Sequence, residues 1–171
     1  IYLAMFGQVP WEDCPAVPPE VILFPSWCPI NLYALSSWSR CIIVPLSIIW
    51  ASKPFCSVPA HANLEDIRVD SEVAPKTHQG FWPMFFKSAD LLAKFLERHH
   101  ILPLRRKALK ACETWLLKHF HKSDGVGAIF PPIINSIIAL RCLGYECDQP
   151  QLQSQIQALE GLEIEESDTL R

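Results

Sequence analysis

The sequence predicts an all-α fold built from helical hairpins. In the second half of the chain, apolar residues recur at three- and four-residue spacing, as they do on the buried face of a helix. Short stretches containing glycine or proline separate the segments with this spacing. No segment alternates apolar and polar residues over the length of a strand. Half of the 171 residues are hydrophobic, so the chain can build a sizeable core.

The first part of the chain is rich in proline and poor in charge. Residues 1–60 hold nine of the fifteen prolines and only five charged residues. Because such a segment can neither form long helices nor disperse in water, we expect it to pack along a larger body. Residues 31–51 are predicted to form a helix with a kink at Pro45, whose ring removes a backbone hydrogen bond. Residues 52–80 are predicted to form a long connecting loop.

Two helices are predicted directly after this loop. Ser88 can cap a helix over residues 88–100, and Pro103 prevents that helix from continuing. Residues 105–121 follow, with apolar residues on one face. The second of these helices is predicted to form a hairpin with the helix that comes next.

That next helix is predicted over residues 133–143. Pro131 and Pro132 suit its first turn, and Gly144 supplies its C-terminal stop. A last, polar helix is predicted over residues 151–162.

Charge and cysteine content exclude several classes of protein. The net charge is -3 and the sequence pI is about 6.1, so no basic field is available for nucleic acid, and we expect no nucleic-acid partner. The seven cysteines are odd in number and scattered, which favours reduced, buried thiols in a cytosolic setting over a disulfide framework. No apolar run approaches the roughly 20 residues of a membrane-spanning helix.

The common catalytic signatures are absent from the sequence. It contains no Gly-x-Ser-x-Gly, no phosphate loop and no His-Glu-x-x-His. The acidic residues between positions 163 and 168 are interpreted as a solvated surface, because acid-base catalysis needs a pocket that shifts pKa values. The adjacent and alternate histidine pairs point away from each other on a helix and predict no metal site.

Five segments closely resemble squalene-hopene cyclases, and they occur in the same order. They are Tyr-Leu-Ala-Met-Phe-Gly-Gln-Val-Pro-Trp-Glu (2–12), Val-Pro-Pro-Glu (17–20), Ser-Ser-Trp-Ser-Arg (36–40), Pro-Leu-Arg-Arg (103–106) and Asp-Gly-Val-Gly-Ala-Ile-Phe-Pro-Pro (124–132). The resemblance covers nearly the whole chain and is weakest over residues 55–79. It implies an incomplete α/α barrel (toroid), taken from the N-terminal half of a protein with two such barrels.

Residues 1–171 are accordingly expected to be part of the family's inserted second barrel, cut at both ends. The resemblance implies that the whole protein protonates squalene and cyclises it to hopene or hopanol without a metal or an organic cofactor. The family's acid is the middle Asp of an Asp-x-Asp-Asp motif, which this chain does not contain. We therefore expect no catalytic residue here.

The same resemblance assigns cavity positions. Tyr2 matches a cavity aromatic that is often Trp, and Ile129, Phe130 and Pro131 match a segment that lines the cavity, where Phe130 replaces a polar residue of some relatives. Phe6 matches a position near the substrate channel constriction. Aromatic faces suit this chemistry, because each stabilises a cation by roughly 0.5 to 2 kcal/mol without attacking it. Core packing is the competing interpretation for each of these residues.

A membrane-contact surface is predicted over residues 81–96, because squalene is insoluble and must be drawn from a bilayer. An amphipathic helix there would present apolar side chains to lipid and polar ones to water. The apolar set is Phe81, Trp82, Phe85, Phe86, Leu92, Phe95 and Leu96, and the polar set is Lys87, Asp90, Lys94 and Glu97. An ordinary core helix is the alternative.

The expected partners are squalene and the lipid surface on the cytoplasmic face of a membrane, with the protein bound as a monotopic, peripheral enzyme. The oligomeric state stays open, a homodimer included. Two rival functions remain: an oxidosqualene cyclase of the sterol type, and a noncatalytic helical toroid that binds a lipid. The segments 17–20 and 124–132 are nearer to the hopene type.

Overall fold

The computed structural model describes residues 1–28, 30–62, 64, 80–99, 104–120 and 129–163, and the backbone of Glu165–Glu166 and Thr169–Leu170. Six α-helices lie in these ranges: α1 (Tyr2–Met5), α2 (Ser37–Ser52), α3 (Phe81–Arg98), α4 (Arg105–Phe120), α5 (Phe130–Cys142) and α6 (Pro150–Glu160). The strands β1 (Glu165–Glu166) and β2 (Thr169–Leu170) form a two-residue antiparallel pair. The predicted all-α class is therefore confirmed. Among the described residues, no helix is both long and apolar enough to cross a membrane.

The chain forms two compact units. Unit 1 comprises the described residues of Ile1–Ala16 and Lys53–Pro103, and unit 2 those of Val17–Ser52 and Leu104–Arg171. Unit 1 therefore contains α1 and α3, whereas unit 2 contains α2, α4, α5 and α6.

The core of unit 2 is made by four α-helices that bury apolar side chains. In this unit α2 packs on α4 and α5, α6 packs on α5, and a 3-10 helix at Pro19–Leu23 packs on α4. The largest fully buried side chains come from all four α-helices: Ile48, Ile49 and Trp50 of α2, Leu116 of α4, Ile133 and Leu140 of α5, and Leu152 of α6.

Neighbouring helices of unit 2 alternate in direction. The Arg105 guanidinium, at the start of α4, lies 5.8 Å from the Trp50 ring near the end of α2, so these two helices are antiparallel. Burial raises the pKa of the Cys142 thiol at the end of α5, and the hydroxyl of Ser52 at the end of α2 partly offsets this rise. These two helix ends therefore lie together, so α2 and α5 are parallel. Parallel helices with an antiparallel neighbour are the expected arrangement when helical hairpins pack side by side.

Two boundaries in unit 2 follow from local hydrogen bonds. Asn31 does not begin the predicted long helix, because its Oδ1 accepts from the Ala34 N–H at 2.9 Å and closes a separate 3-10 turn. Ser36 then caps α2, since its Oγ accepts from the Ser39 N–H at 3.1 Å. α2 continues through the buried Pro45. α5 ends as predicted before Gly144, whose φ of 91° is the left-handed conformation that favours glycine.

The start of α3 differs from the prediction. The helix begins at Phe81 with Gly80 as its N-cap residue, whereas Ser88 lies inside the helix and its Oγ donates to the Met84 carbonyl at 2.9 Å. Pro83 is tolerated because the first N–H groups of a helix have no partner within it. The aromatic cluster at residues 81–86 is therefore helical, although it was predicted to lie ahead of the helix.

In unit 1, the turn after α1 requires glycine. Gly7 has a φ of 68°, and a methyl group added to its Cα would lie 2.8 Å from Cε2 of Phe55. The Cys56 N–H donates to the Met5 carbonyl at 2.8 Å, so residues 55 and 56 are held against α1.

Gly7→Ala should therefore lower the stability of the intact protein by about 1 to 2 kcal/mol, the usual cost of the left-handed conformation for an L residue. The exposed Phe55 ring can turn aside, so most of this cost comes from the backbone. Urea midpoints of the two proteins would measure it. Gly7→Asn is the comparison, because asparagine tolerates the left-handed conformation better than alanine and should lose less stability at the same position. An unchanged midpoint for Gly7→Ala would contradict the argument.

Candidate functional site

The predicted cavity segment lies at the start of α5. Ile129 is the N-cap residue and is half-buried, whereas Phe130 is 58% exposed and Pro131 is also exposed. Pro132 and Ile133 are buried and anchor the first turn. The structure thus presents the rings of Phe130 and Pro131 outward from unit 2, and packing inside unit 2 does not account for them. Most of the glycine-rich segment before them lies outside the described residues.

Trp38 shares this end of unit 2, and sequence reasoning did not assign it a role. Because α2 and α5 are parallel and their ends lie together at Ser52 and Cys142, distances along both helices can be compared from that common point. At a rise of 1.5 Å per residue, Trp38 lies about 21 Å and Phe130 about 18 Å from it. Trp38 is 56% exposed. The signal in the sequence that could have identified Trp38 is its place as an aromatic residue in Ser-Ser-Trp-Ser-Arg, at the predicted start of a helix.

Tyr2 and Phe6 lie in unit 1, one helical turn apart on α1 and its C-cap. They are 43% and 41% exposed, while Ala4 and Met5 between them are buried. Burial raises the pKa of the Tyr2 hydroxyl, so this group stays protonated at neutral pH. The ring of Tyr2 is therefore a neutral aromatic surface rather than an anionic nucleophile.

The predicted membrane-contact helix exposes its apolar side. None of the residues of α3 is fully buried. Most of its large apolar side chains are more than half exposed, and Phe85 and Leu96 are half-buried. The exposed set is Phe81, Trp82, Met84, Phe86, Leu91, Leu92 and Phe95. The rings at positions 81, 82, 85 and 86 also contact one another, with centroids 5.4 to 6.3 Å apart.

The polar side of α3 is the side held to the rest of unit 1. Asp90 accepts from the Ala16 N–H at 2.6 Å and pairs with Lys94 at 2.7 Å, and Glu97 pairs with Lys53 at 3.2 Å. The four polar residues of α3 were predicted to lie toward water, but three of them are partly buried by these contacts and only Lys87 is exposed. α3 is thus attached through polar contacts while its apolar side faces outward.

The pKa of Asp90 is consistent with this attachment. Burial alone would raise the pKa, but hydrogen bonds from Lys94 and from the Ala16 backbone outweigh it and hold the pKa below its usual value. Asp90 is therefore ionised at neutral pH, and it serves as a structural tether rather than as a proton donor.

Two of the family-like segments, 17–20 and 103–106, are joined by an ion pair in unit 2. Glu20, of Val-Pro-Pro-Glu, accepts from Arg105 Nε, of Pro-Leu-Arg-Arg, at 2.7 Å. The side chains are only 13% and 20% exposed. Burial raises the pKa of the nearby Cys112 thiol to about 11, and the negative charge of Glu20 adds to the rise. These two motifs stabilise the packing of α4, and this structural role accounts for their contact.

Comparisons with known proteins identify the family of this chain. Residues 1–168 match the family model described as squalene-hopene cyclase N-terminal domain. The chain is 30% identical to a squalene-hopene cyclase of Zymomonas mobilis over 96% of its own length and 25% of that protein. It is 31% identical to a squalene-hopene cyclase of Alicyclobacillus acidocaldarius over 96% of its length and 26% of that protein.

A third relative carries the name of a different enzyme. The chain is 28% identical to a dammaradiene synthase of Dryopteris crassirhizoma over 98% of its length and 25% of that protein. The chain thus spans about a quarter of the curated relatives it matches. Since the family model covers nearly all of it, the chain belongs to the squalene-hopene cyclase N-terminal domain family.

Proposed function

We propose that the intact protein is a triterpene cyclase that converts squalene to hopene or hopanol by protonation-initiated polycyclisation. The match of residues 1–168 to the family carries this proposal. Within it, the chain supplies part of the cavity wall and a membrane-contact surface. The acid comes from elsewhere in the intact protein, because the sequence contains no Asp-x-Asp-Asp.

The exposed aromatic residues suit the cavity role. A cation that migrates through a hydrocarbon needs surroundings that stabilise positive charge without forming a bond to it, and aromatic ring faces do both. Phe130 and Trp38 carry no hydroxyl or thiol that could trap the cation, and the protonated phenol of Tyr2 is a weak nucleophile. In each case the side chain is exposed on its own unit and can therefore contact a substrate.

Incubation of the intact protein with squalene tests the proposal. We expect hopene or hopanol, detected by mass spectrometry of the extracted products. The 171-residue chain alone should give no product above background, because it lacks a strong acid. Conversion of oxidosqualene but not squalene would favour the sterol-type alternative, and binding without conversion of either would favour the noncatalytic toroid.

Tyr2 allows a test of the cavity wall itself. In the intact protein, Tyr2→Ala should slow cyclisation or release truncated products by about 2- to 30-fold, the worth of one cation–π contact. Tyr2→Phe should be close to the parent, because the ring face rather than the hydroxyl stabilises the cation. Product profiles from the two variants would measure the difference. Equal profiles would assign Tyr2 to packing.

We also propose that α3 binds the cytoplasmic face of a membrane and makes the protein monotopic and peripheral. The outward apolar side of α3, with its polar side tethered inside unit 1, supports this proposal. A contiguous exposed apolar surface of this kind is uncommon on a monomeric soluble protein and marks a protein or membrane interface. A lipid surface fits best, because the proposed substrate partitions into bilayers.

A further inference from the structure

Unit 2 contains a cleft that the proposed cyclase reaction does not use. It has a volume of about 570 Å³ and lies along one side of α4, against residues of the chain between positions 22 and 33. Its apolar lining includes Ile22, Ala111 and Trp115, and Tyr33 contributes a further, 60% exposed aromatic ring. One part of the cleft lining is therefore aliphatic and aromatic.

The other lining residues are three lysines, one histidine and Thr114. Lys107, Lys110, Lys118 and His119 all line the cleft, and none of its lining residues is acidic. They occur at helical spacing, so that Lys107 and Lys118 mark two ends about 16 Å apart along the helix axis. A ligand that contacts both ends must be extended or carry more than one anionic oxygen.

Ion pairs within the chain leave part of this charge unneutralised. α4 carries five Lys and Arg residues but one acid, Glu113, in a chain whose net charge is -3. Glu113 pairs with Lys110 at 2.9 Å, and Glu20 pairs with Arg105. Within the described part of the chain, no ion pair reaches Lys107 or Lys118. Lys107 and Lys118 therefore contribute unneutralised positive charge to the cleft.

His119 adds a positioned nitrogen to one end of the cleft. Its ring stacks on Trp115 with centroids 3.8 Å apart, and its Nδ1 lies 2.7 Å from the Trp115 carbonyl oxygen. Because a carbonyl only accepts, Nδ1 carries a hydrogen, and Nε2 is the atom left to meet a ligand. The stack and the hydrogen bond hold this ring in one orientation, as a binding site requires.

We propose that this cleft binds a phosphate-bearing anion. Phosphate groups match the lysines, which act as point charges on phosphate oxygens, and the aromatic and aliphatic lining leaves room for an apolar body attached to the headgroup. The same chemistry is found in free phosphates and in phospholipid headgroups. This inference is independent of the cyclase reaction, so a negative result here leaves the squalene assay unaffected.

Isothermal titration of the intact protein tests the proposal with three probes. Inorganic pyrophosphate represents the free anion, monomeric dihexanoyl phosphatidylglycerol represents the anionic headgroup, and dihexanoyl phosphatidylcholine is the zwitterionic reference. Short-chain monomers avoid the vesicle binding expected of α3. Binding of pyrophosphate assigns the site to a soluble ligand, and selective binding of phosphatidylglycerol over phosphatidylcholine assigns it to a lipid headgroup.

Two variants locate the binding. Lys107→Gln with Lys118→Gln should weaken the Kd by about a hundredfold, since each charge-assisted contact is worth roughly tenfold. Arg106→Gln removes one positive charge from the same helix, where the lysine pair removes two, but Arg106 lies outside the cleft, so the Kd should change less than about twofold. The proposal is overturned if none of the anions binds, or if Arg106→Gln weakens binding as much as the lysine pair does.

Discussion

Phe81→Glu combined with Leu92→Glu is expected to weaken binding of the intact protein to phosphatidylcholine vesicles by roughly a thousandfold. Phe81 and Leu92 are 69% and 58% exposed and lie on the same side of α3, opposite Asp90. Burying each side chain in a bilayer contributes about 2 kcal/mol, and a carboxylate both forfeits this gain and adds a desolvation cost. Vesicle flotation with quantified bound fractions would measure the change.

Lys87→Glu is the control for this experiment. It changes the net charge by the same amount as the double variant, but Lys87 lies on the polar side of α3 and is exposed. In zwitterionic vesicles we expect little effect from it. Circular dichroism should show the same helical content in all three proteins, because neither apolar position is buried. Unfolding of the double variant, or vesicle binding equal to that of the parent, would show that α3 is covered by protein instead.

The sequence predicted the helices of unit 2 better than α3, for a physical reason. α4 and α5 bury an apolar face within unit 2, and apolar periodicity is a direct consequence of that burial. α3 buries no residue fully, and its first turns hold consecutive aromatic residues and a proline, so periodicity gave no signal for its start. Ser88 resembled a cap because serine bonds backbone groups equally well inside a helix, where it bonds Met84.

Candidate site residues were found from the family resemblance and not from spacing. Phe130 is largely exposed and so takes no part in the periodic pattern of buried residues, and only the likeness of residues 124–132 to known cyclases identified it. Glu20 and Arg105 both lie in segments that resemble the family, but the resemblance did not predict that their side chains form an ion pair. A contact across 85 positions of the chain depends on how α4 folds back on the 3-10 helix at Pro19–Leu23, which local sequence does not encode.

That contact carries the largest stability effect that we expect. Arg105→Met should destabilise unit 2 by about 3 kcal/mol, because it leaves the carboxylate of Glu20 buried without its cation. Neither water nor other donors can replace the lost cation well. Among the described residues Oε2 of Glu20 has no hydrogen-bond partner, and the Glu20 side chain is only 13% exposed. Methionine keeps much of the apolar stem that packs near Trp50, so the lost charge dominates the effect.

Hydrogen exchange of the intact protein, followed for peptides from α4, would measure this loss as a roughly hundredfold rise in local opening. Arg141→Met is the matched control, since Arg141 pairs with Glu146 at 3.1 Å but both side chains are largely exposed, and such pairs contribute at most about 1 kcal/mol. Glu20→Gln together with Arg105→Met should recover most of the stability, because the double variant buries no unpaired charge. If the double variant instead loses as much stability as Arg105→Met alone, the contribution of Arg105 comes from packing against Trp50 and not from its charge.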